Sequence, residues 1–185
     1  IEAHGEILSL PVEKGDARNL TNSPGVADRD PTFSPDGQKL AWFSDESGEY
    51  ALHIGPSDGL GAVKTIPLGT PPSYFYKPRW SPDQHKISYW DKRLNLWVLA
   101  VDHPNPIKIA TDRYDSPQHR LDSAWSPDGQ WIAYTLQLKN HLHGVYVYSI
   151  AQHKSVAVTD GLSDAWSPVF DNNGRYLYFI SSTES

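Results

Sequence analysis

The sequence contains no cysteine and no methionine. The first absence removes disulfides, thiolate metal sites and cysteine nucleophiles, and leaves the redox compartment open. The second extends to position 1, so we expect a piece trimmed from a longer protein. No apolar run reaches the roughly 18 residues of a membrane-spanning helix, so no membrane partner is expected. No targeting segment stands out. Basic clusters are missing too: 16 Lys and Arg against 22 Asp and Glu leave a net charge of −6, which argues against nucleic acid as a partner. No stretch sustains a helical period. A Gly-x-Ser-x-Gly elbow, a His-Glu-x-x-His pair and a phosphate loop are all lacking. We therefore assign no catalytic residue, no metal and no cofactor to this chain.

Aromatic residues and turn formers are plentiful. Seven Trp and ten Tyr supply enough apolar surface for a packed fold. The 13 Gly and 15 Pro are spread along the whole chain between short apolar runs, the composition of an all-β protein with many tight turns. An internal repeat is evident. Phe33-Ser34-Pro35-Asp36-Gly37, Trp80-Ser81-Pro82-Asp83-Gln84 and Trp125-Ser126-Pro127-Asp128-Gly129 are three copies, and Phe170-Asp171-Asn172-Asn173-Gly174 is a degraded fourth. The anchor aromatics stand at 33, 80, 125 and 170, a period of 45 to 47 residues. Four short strands with their turns need about that length, which is the unit of a β-propeller blade. Trp166-Ser167-Pro168 mimics the motif out of register: Pro168 aligns with Pro31 and Pro78.

Each anchor ends a strand and enters a type I turn, with Ser first, Pro fixing φ and Gly where a positive φ is cheap. Gln84 at the Gly position and Asn172 at the Pro position predict two less regular turns. Second strands follow at 39–43 and 131–134, third strands at 50–54, 96–101 and 145–150, and fourth strands at 63–68, 107–111 and 155–159. The fold class expected is all-β: a propeller of four-stranded antiparallel blades, with three full blades plus two half-blades. The full blades span about 28–68, 75–111 and 121–159. Residues 1–21 supply two outer strands and 166–185 two inner ones. The halves could pair within the chain, pair between chains in a homo-oligomer, or be edges of a larger ring. The last is favoured, because open strand edges invite aggregation.

The anchors Phe33, Trp80, Trp125 and Phe170 are expected to be core wedges between blades, so Trp125→Ala should cost roughly 3–5 kcal/mol. Asp36, Asp83, Asp128 and Asp171 recur in the turns, which suggests Asx-type hydrogen bonding rather than calcium, whose loop pattern is lacking. His141 and His143 would face one way on an extended strand as a two-ligand pair, but no third ligand is close in sequence, and an exposed connection is the better reading. Binding is expected at the loops that lead into the innermost strands and face one end of a propeller's channel. Their candidate residues are Arg29, Asp30, Tyr74, Tyr76, Lys77 and Arg120. The aromatic and basic run 73–77 suits stacking on a peptide or snorkelling over the core.

The repeat resembles the WD-related propellers of the TolB and tricorn type. The segments Gly15-Asp16-Ala17-Arg18-Asn19-Leu20-Thr21, Pro24 to Pro31, Phe43 to Tyr50, Asp91 to Trp97, Tyr114-Asp115-Ser116-Pro117 and Val158 to Ala165 resemble the seven-bladed propeller of tricorn proteases. That resemblance implies a large cytoplasmic serine peptidase whose propeller admits peptides to catalytic domains lying downstream. The partners implied are peptides and the remaining domains of the parent peptidase. No residue here matches the family's catalytic serine or histidine. The alternative is a free-standing, TolB-like protein-interaction propeller, which would place the protein in the periplasm. A third reading, an enzyme with its site in the propeller channel, requires clustered titratable groups with shifted pKa values at one channel mouth.

Overall fold

The computed structural model describes residues 1–114 and 121–182. No helix occurs among them, and strands account for every regular element. Three sheets have four strands each, in sequence order, and every pairing recorded in them is antiparallel. The first contains β4 (Arg29–Phe33), β5 (Lys39–Ser44), β6 (Ala51–Pro56) and β7 (Lys64–Pro67). The second contains β8 (Phe75–Trp80), β9 (Lys86–Asp91), β10 (Asn95–Ala100) and β11 (Ile107–Thr111). The third contains β12 (Ser123–Trp125), β13 (Trp131–Gln137), β14 (His143–Ser149) and β15 (Lys154–Ala157). These are blades of a β-propeller. Before them lie three short strands, β1 (Glu2–Ala3), β2 (Glu6–Ser9) and β3 (Arg18–Asn19); after them, β16 (Ala165–Phe170) pairs with β17 (Leu177–Ser181). The N-terminal sheet thus has one strand more than the two expected: Glu2 and Ala3 pair with Ile7 and Glu6.

The described chain forms two compact units. The first comprises Ile1–Trp80, Gln84–Lys92 and Val98–Pro106, and the second comprises the remainder. In the first unit, β5 reads Lys-Leu-Ala-Trp-Phe-Ser and is buried on both faces after Lys39. A strand packed on both faces loses the polar alternation of an exposed sheet and becomes a continuous apolar run. Its Phe43 meets Phe75 and Tyr89 of the next blade at ring separations of 5.5 and 6.0 Å, and those two rings stand 5.6 Å apart. This triangle of fully buried rings is the wedge between the two blades. In the second unit Ile132, Ala133, Tyr134 and Val145 form the equivalent buried layer, and Tyr134 stacks on Tyr146 at 5.7 Å.

The anchor aromatics do not act as uniform wedges, contrary to expectation. Trp80 is buried at 7% exposure and donates its Nε1–H to Thr32 O of the preceding blade, 3.3 Å away. Phe33 is 56% exposed. Trp125 and Phe170 are half-buried.

The turns follow their sequence chemistry. Ser34 Oγ–H donates to Asp36 Oδ1 at 2.6 Å and accepts Lys39 N–H at 2.9 Å; Asp36 also accepts Gln38 N–H. Ser126 and Asp128 repeat that pattern with Trp131 and Gln130. Gly37, Gly129 and Gly174 have φ of 73°, 66° and 68°, and Gln84 takes the same left-handed conformation at 62°. The second turn therefore keeps the regular shape, and the cost of a side chain there is borne locally. In the fourth copy Asp171 occupies the serine position, and one of its carboxylate oxygens accepts both Arg175 N–H and Tyr176 N–H. That single group replaces the Ser–Asp pair, so this turn closes without proline.

Candidate functional site

Three first strands share a break in register: between Arg29 and Thr32 in β4, between Tyr76 and Arg79 in β8, and between Trp166 and Val169 in β16. At each break a residue with positive φ precedes a proline: Asp30 at 52°, Lys77 at 49° and Ser167 at 54°. Proline cannot donate to the ladder and disfavours the right-handed helical region in the residue before it. The strand answers with a bulge, which re-aims the adjoining side chains. The third blade has Asp122-Ser123 in place of a residue and proline, and its β12–β13 ladder runs without a break.

In the first unit these bulges gather five of the six residues singled out from the sequence. The Arg29 guanidinium carbon lies 3.6 Å from the centre of the Tyr74 ring and 4.9 Å from that of Tyr50. Its Nη2 donates to Phe75 O at 3.0 Å, while its Nε is buried without a hydrogen-bond partner. Tyr74 lies 5.1 Å from Tyr50 and 5.0 Å from Tyr76, which makes a continuous aromatic row over the cation. Such contact between a guanidinium and ring faces contributes about 0.5–2 kcal/mol, depending on solvent access. Asp30 accepts the backbone N–H of Lys77, and its own N–H donates to Glu2 Oε2 at 2.9 Å. Burial pushes the Asp30 carboxyl above its ordinary value, with Arg29 as the main opposing influence. Burial also raises the Tyr74 phenol, again against Arg29, so the phenol is neutral at pH 7. Lys77 is exposed. Arg120 lies outside the described residues.

Tyr50 was not among the candidates. It begins just before β6, in the connection after β5, and antiparallel pairing brings that end beside the start of β4: Ser44 faces Ala51 and Phe43 faces Arg29. The blade topology alone contained that signal.

The second unit carries a different set at the corresponding loops. Ser167 Oγ–H donates to Asp122 Oδ2 at 3.3 Å. Asp164 Oδ1 takes both the Nδ1 and the backbone N–H of His143, at 2.8 and 2.7 Å. Burial raises the Asp112 carboxyl, with Gln137 N–H opposing. His141 has a φ of 66° in the turn before β14, so residues 141–143 are not the extended run that would face both rings one way. Among the described residues no group of three His, Cys, Asp or Glu is placed to hold a metal ion. The first-unit cluster brings together aromatic ring faces, a guanidinium held by a backbone carbonyl, and a carboxylate.

A sequence profile of the tricorn protease second beta propeller domain matches residues 1–184. The chain belongs to the tricorn protease family. A protein from Sulfurisphaera tokodaii assigned as a tricorn-like protease C-terminal subunit is 36% identical over 189 residues, covering 97% of this chain and 20% of that protein. The crystal structure of the tricorn protease superposes with a TM-score of 0.80 at 18% identity, over 96% of this chain and 17% of that one. A TolB structure from Agrobacterium tumefaciens shares the fold at a TM-score of 0.67 and 21% identity, over 98% of this chain and 64% of that one. The chain thus spans about a fifth of the tricorn relative it matches. It is a tricorn propeller region, and its relatives are named as proteases.

Proposed function

We propose that this tricorn propeller region is a scaffold that channels peptides toward the catalytic domains of a serine peptidase, with Arg29, Tyr50, Tyr74 and Tyr76 as its peptide-contacting patch. The observation that carries the reading is the stacked guanidinium at the start of two first strands, the strands that line the central channel of a propeller. Three tyrosine rings offer large contact area at low conformational cost, and Arg29 with Asp30 offers polar partners for a peptide backbone. In this reading the partners are peptides and the remaining domains of the parent peptidase, self-association of the chain is open to it, and the compartment is the cytoplasm.

The test uses the whole peptidase. Tyr74→Ala and Arg29→Ala should lower kcat/KM for peptides of eight to twelve residues by about tenfold, the size of a lost contact of roughly 1.4 kcal/mol. Hydrolysis of a one-residue fluorogenic substrate should stay within twofold. Equal losses on both substrates would mean that the cluster only holds the fold together. No loss on either would remove it from the peptide's path.

A further inference from the structure

A cavity of about 250 Å³ opens in the first unit between the β3–β4 connection and the first blade, and Tyr50, Tyr74 and Tyr76 do not line it. Its polar walls are Thr21, Ser23, Asp28, Glu46 and His53, and the Trp42 indole forms an aromatic wall. No lysine or arginine among the described residues lines it.

Asp28 is the central group. It is 2% exposed, yet among the described residues its carboxylate receives two donors, both neutral: Ser23 Oγ–H at 2.5 Å and Trp42 Nε1–H at 3.1 Å. A carboxylate removed from water calls for a positive partner, and hydrogen bonds from neutral groups compensate only in part. The blade repeat makes the residue more unusual. Asp28 stands five positions before the anchor Phe33; the same place before Trp80 holds Phe75, and before Phe170 holds Ala165. Both are buried apolar residues. The place before Trp125 is Arg120, outside the described residues. A core position is therefore given over to an acidic residue in this blade.

The facing wall departs from the repeat in the same way. Trp42 and His53 are cross-strand partners, edge to face at 5.6 Å. The third blade holds a stacked Tyr134–Tyr146 pair on its corresponding strands. His53 is buried, its Nε2 is 3.4 Å from Thr65 Oγ1, and its Nδ1 is 3.8 Å from Glu46. Burial holds the imidazole below its ordinary value despite Glu46 and Asp28, so it is neutral at pH 7 and supplies no counter-charge. Glu46 brings a second carboxylate, and its side chain is 64% exposed. The volume lies below the roughly 300–1,000 Å³ of drug-sized sites and suits one small group.

We propose that this cavity binds a small organic cation, a primary ammonium or guanidinium group, held against the Trp42 face and paired with Asp28 and Glu46. The inference is independent of the peptide-channelling role.

The experiment follows the Trp42 indole N–H by NMR in the ¹⁵N-labelled chain, with the signal assigned through Trp42→Phe. Methylguanidinium should shift it saturably, while neutral methylurea should not. Asp28→Asn keeps the shape and should weaken binding at least tenfold; Glu46→Gln, on the exposed hairpin, should weaken it about threefold. If Asp28→Asn does not fold, Glu46→Gln decides. A second arm uses acetyl-Gly-Arg-Gly-amide and its citrulline counterpart. A shift with the arginine peptide alone points to a basic side chain as the occupant, and a shift with methylguanidinium but neither peptide points to a free small cation; either supports the site. The proposal is overturned if methylguanidinium leaves the signal in place at high millimolar concentration. It is equally overturned if sodium chloride or methylurea moves the signal as much, or if the folded variants bind as the parent does.

Discussion

At the scale of single residues, the anchor aromatics separate burial from repeat position. Trp80 is enclosed and hydrogen-bonded to the neighbouring blade, whereas Phe33 stands largely in solvent at the same place in its own repeat. Trp80→Ala should therefore lower the free energy of urea unfolding by roughly 3–5 kcal/mol, through lost transfer energy plus the cavity left behind. Phe33→Ala should stay within about 0.5 kcal/mol, as exposed substitutions do. Trp125→Ala, at a half-buried site, should fall between the two. Equal losses for all three would mean that repeat position, not burial, sets the energetics. The same contrast shows what the sequence could and could not reveal. The turn residues were legible because their chemistry is local: Ser34 and Asp36 bond to backbone within five residues of themselves. Which anchor is covered depends on a strand elsewhere in the chain, and no local pattern encodes that.

At the scale of elements, the strand order of each blade followed from the 45-residue period and from alternation between turns. The bulges did not. Asp30 and Lys77 belong to the loops expected to lead into the innermost strands and face the channel, but what places them is backbone: a left-handed residue wedged before a proline. Tyr50 escaped notice for a related reason, since it joins the cluster through hairpin pairing and not through a motif. The bulge makes a backbone prediction that is separate from the side chain's charge. Lys77→Gly should be neutral or slightly stabilising, because glycine takes positive φ at little cost. Lys77→Ile should lose about 1–2 kcal/mol relative to Lys77→Gly, the cost of a β-branched residue in the left-handed region. Equal melting temperatures for the two variants would mean that the strand relaxes to an ordinary conformation and that the bulge is not required.

At the scale of the whole molecule, the carboxylates fall into two classes with opposite effects on stability. Asp36, Asp128 and Asp171 are held below their ordinary value of 3.8, the first two chiefly by serine hydroxyls and the third by the Tyr176 N–H. Their contribution is complete above 3.8 and is lost as the pH falls through the lower folded values. Asp30 and Asp112 are raised above 3.8, in both cases chiefly by burial. Each makes the fold less stable while ionised, and that penalty lifts as the pH falls through the raised folded value toward 3.8. Two isosteric variants separate the classes. Asp30→Asn should raise the melting temperature at pH 7, and its advantage should shrink as the pH drops toward 4, where Asp30 of the parent chain becomes protonated as well. Asp128→Asn should lower the melting temperature at pH 7, and that deficit should persist down to about pH 4 and close only below it. Thermal unfolding followed by circular dichroism between pH 3 and 7 reads both differences. A deficit for Asp30→Asn at pH 7 would mean that attraction to Arg29 outweighs burial, and that Arg29 is held over the tyrosines by its charge partner rather than by the rings.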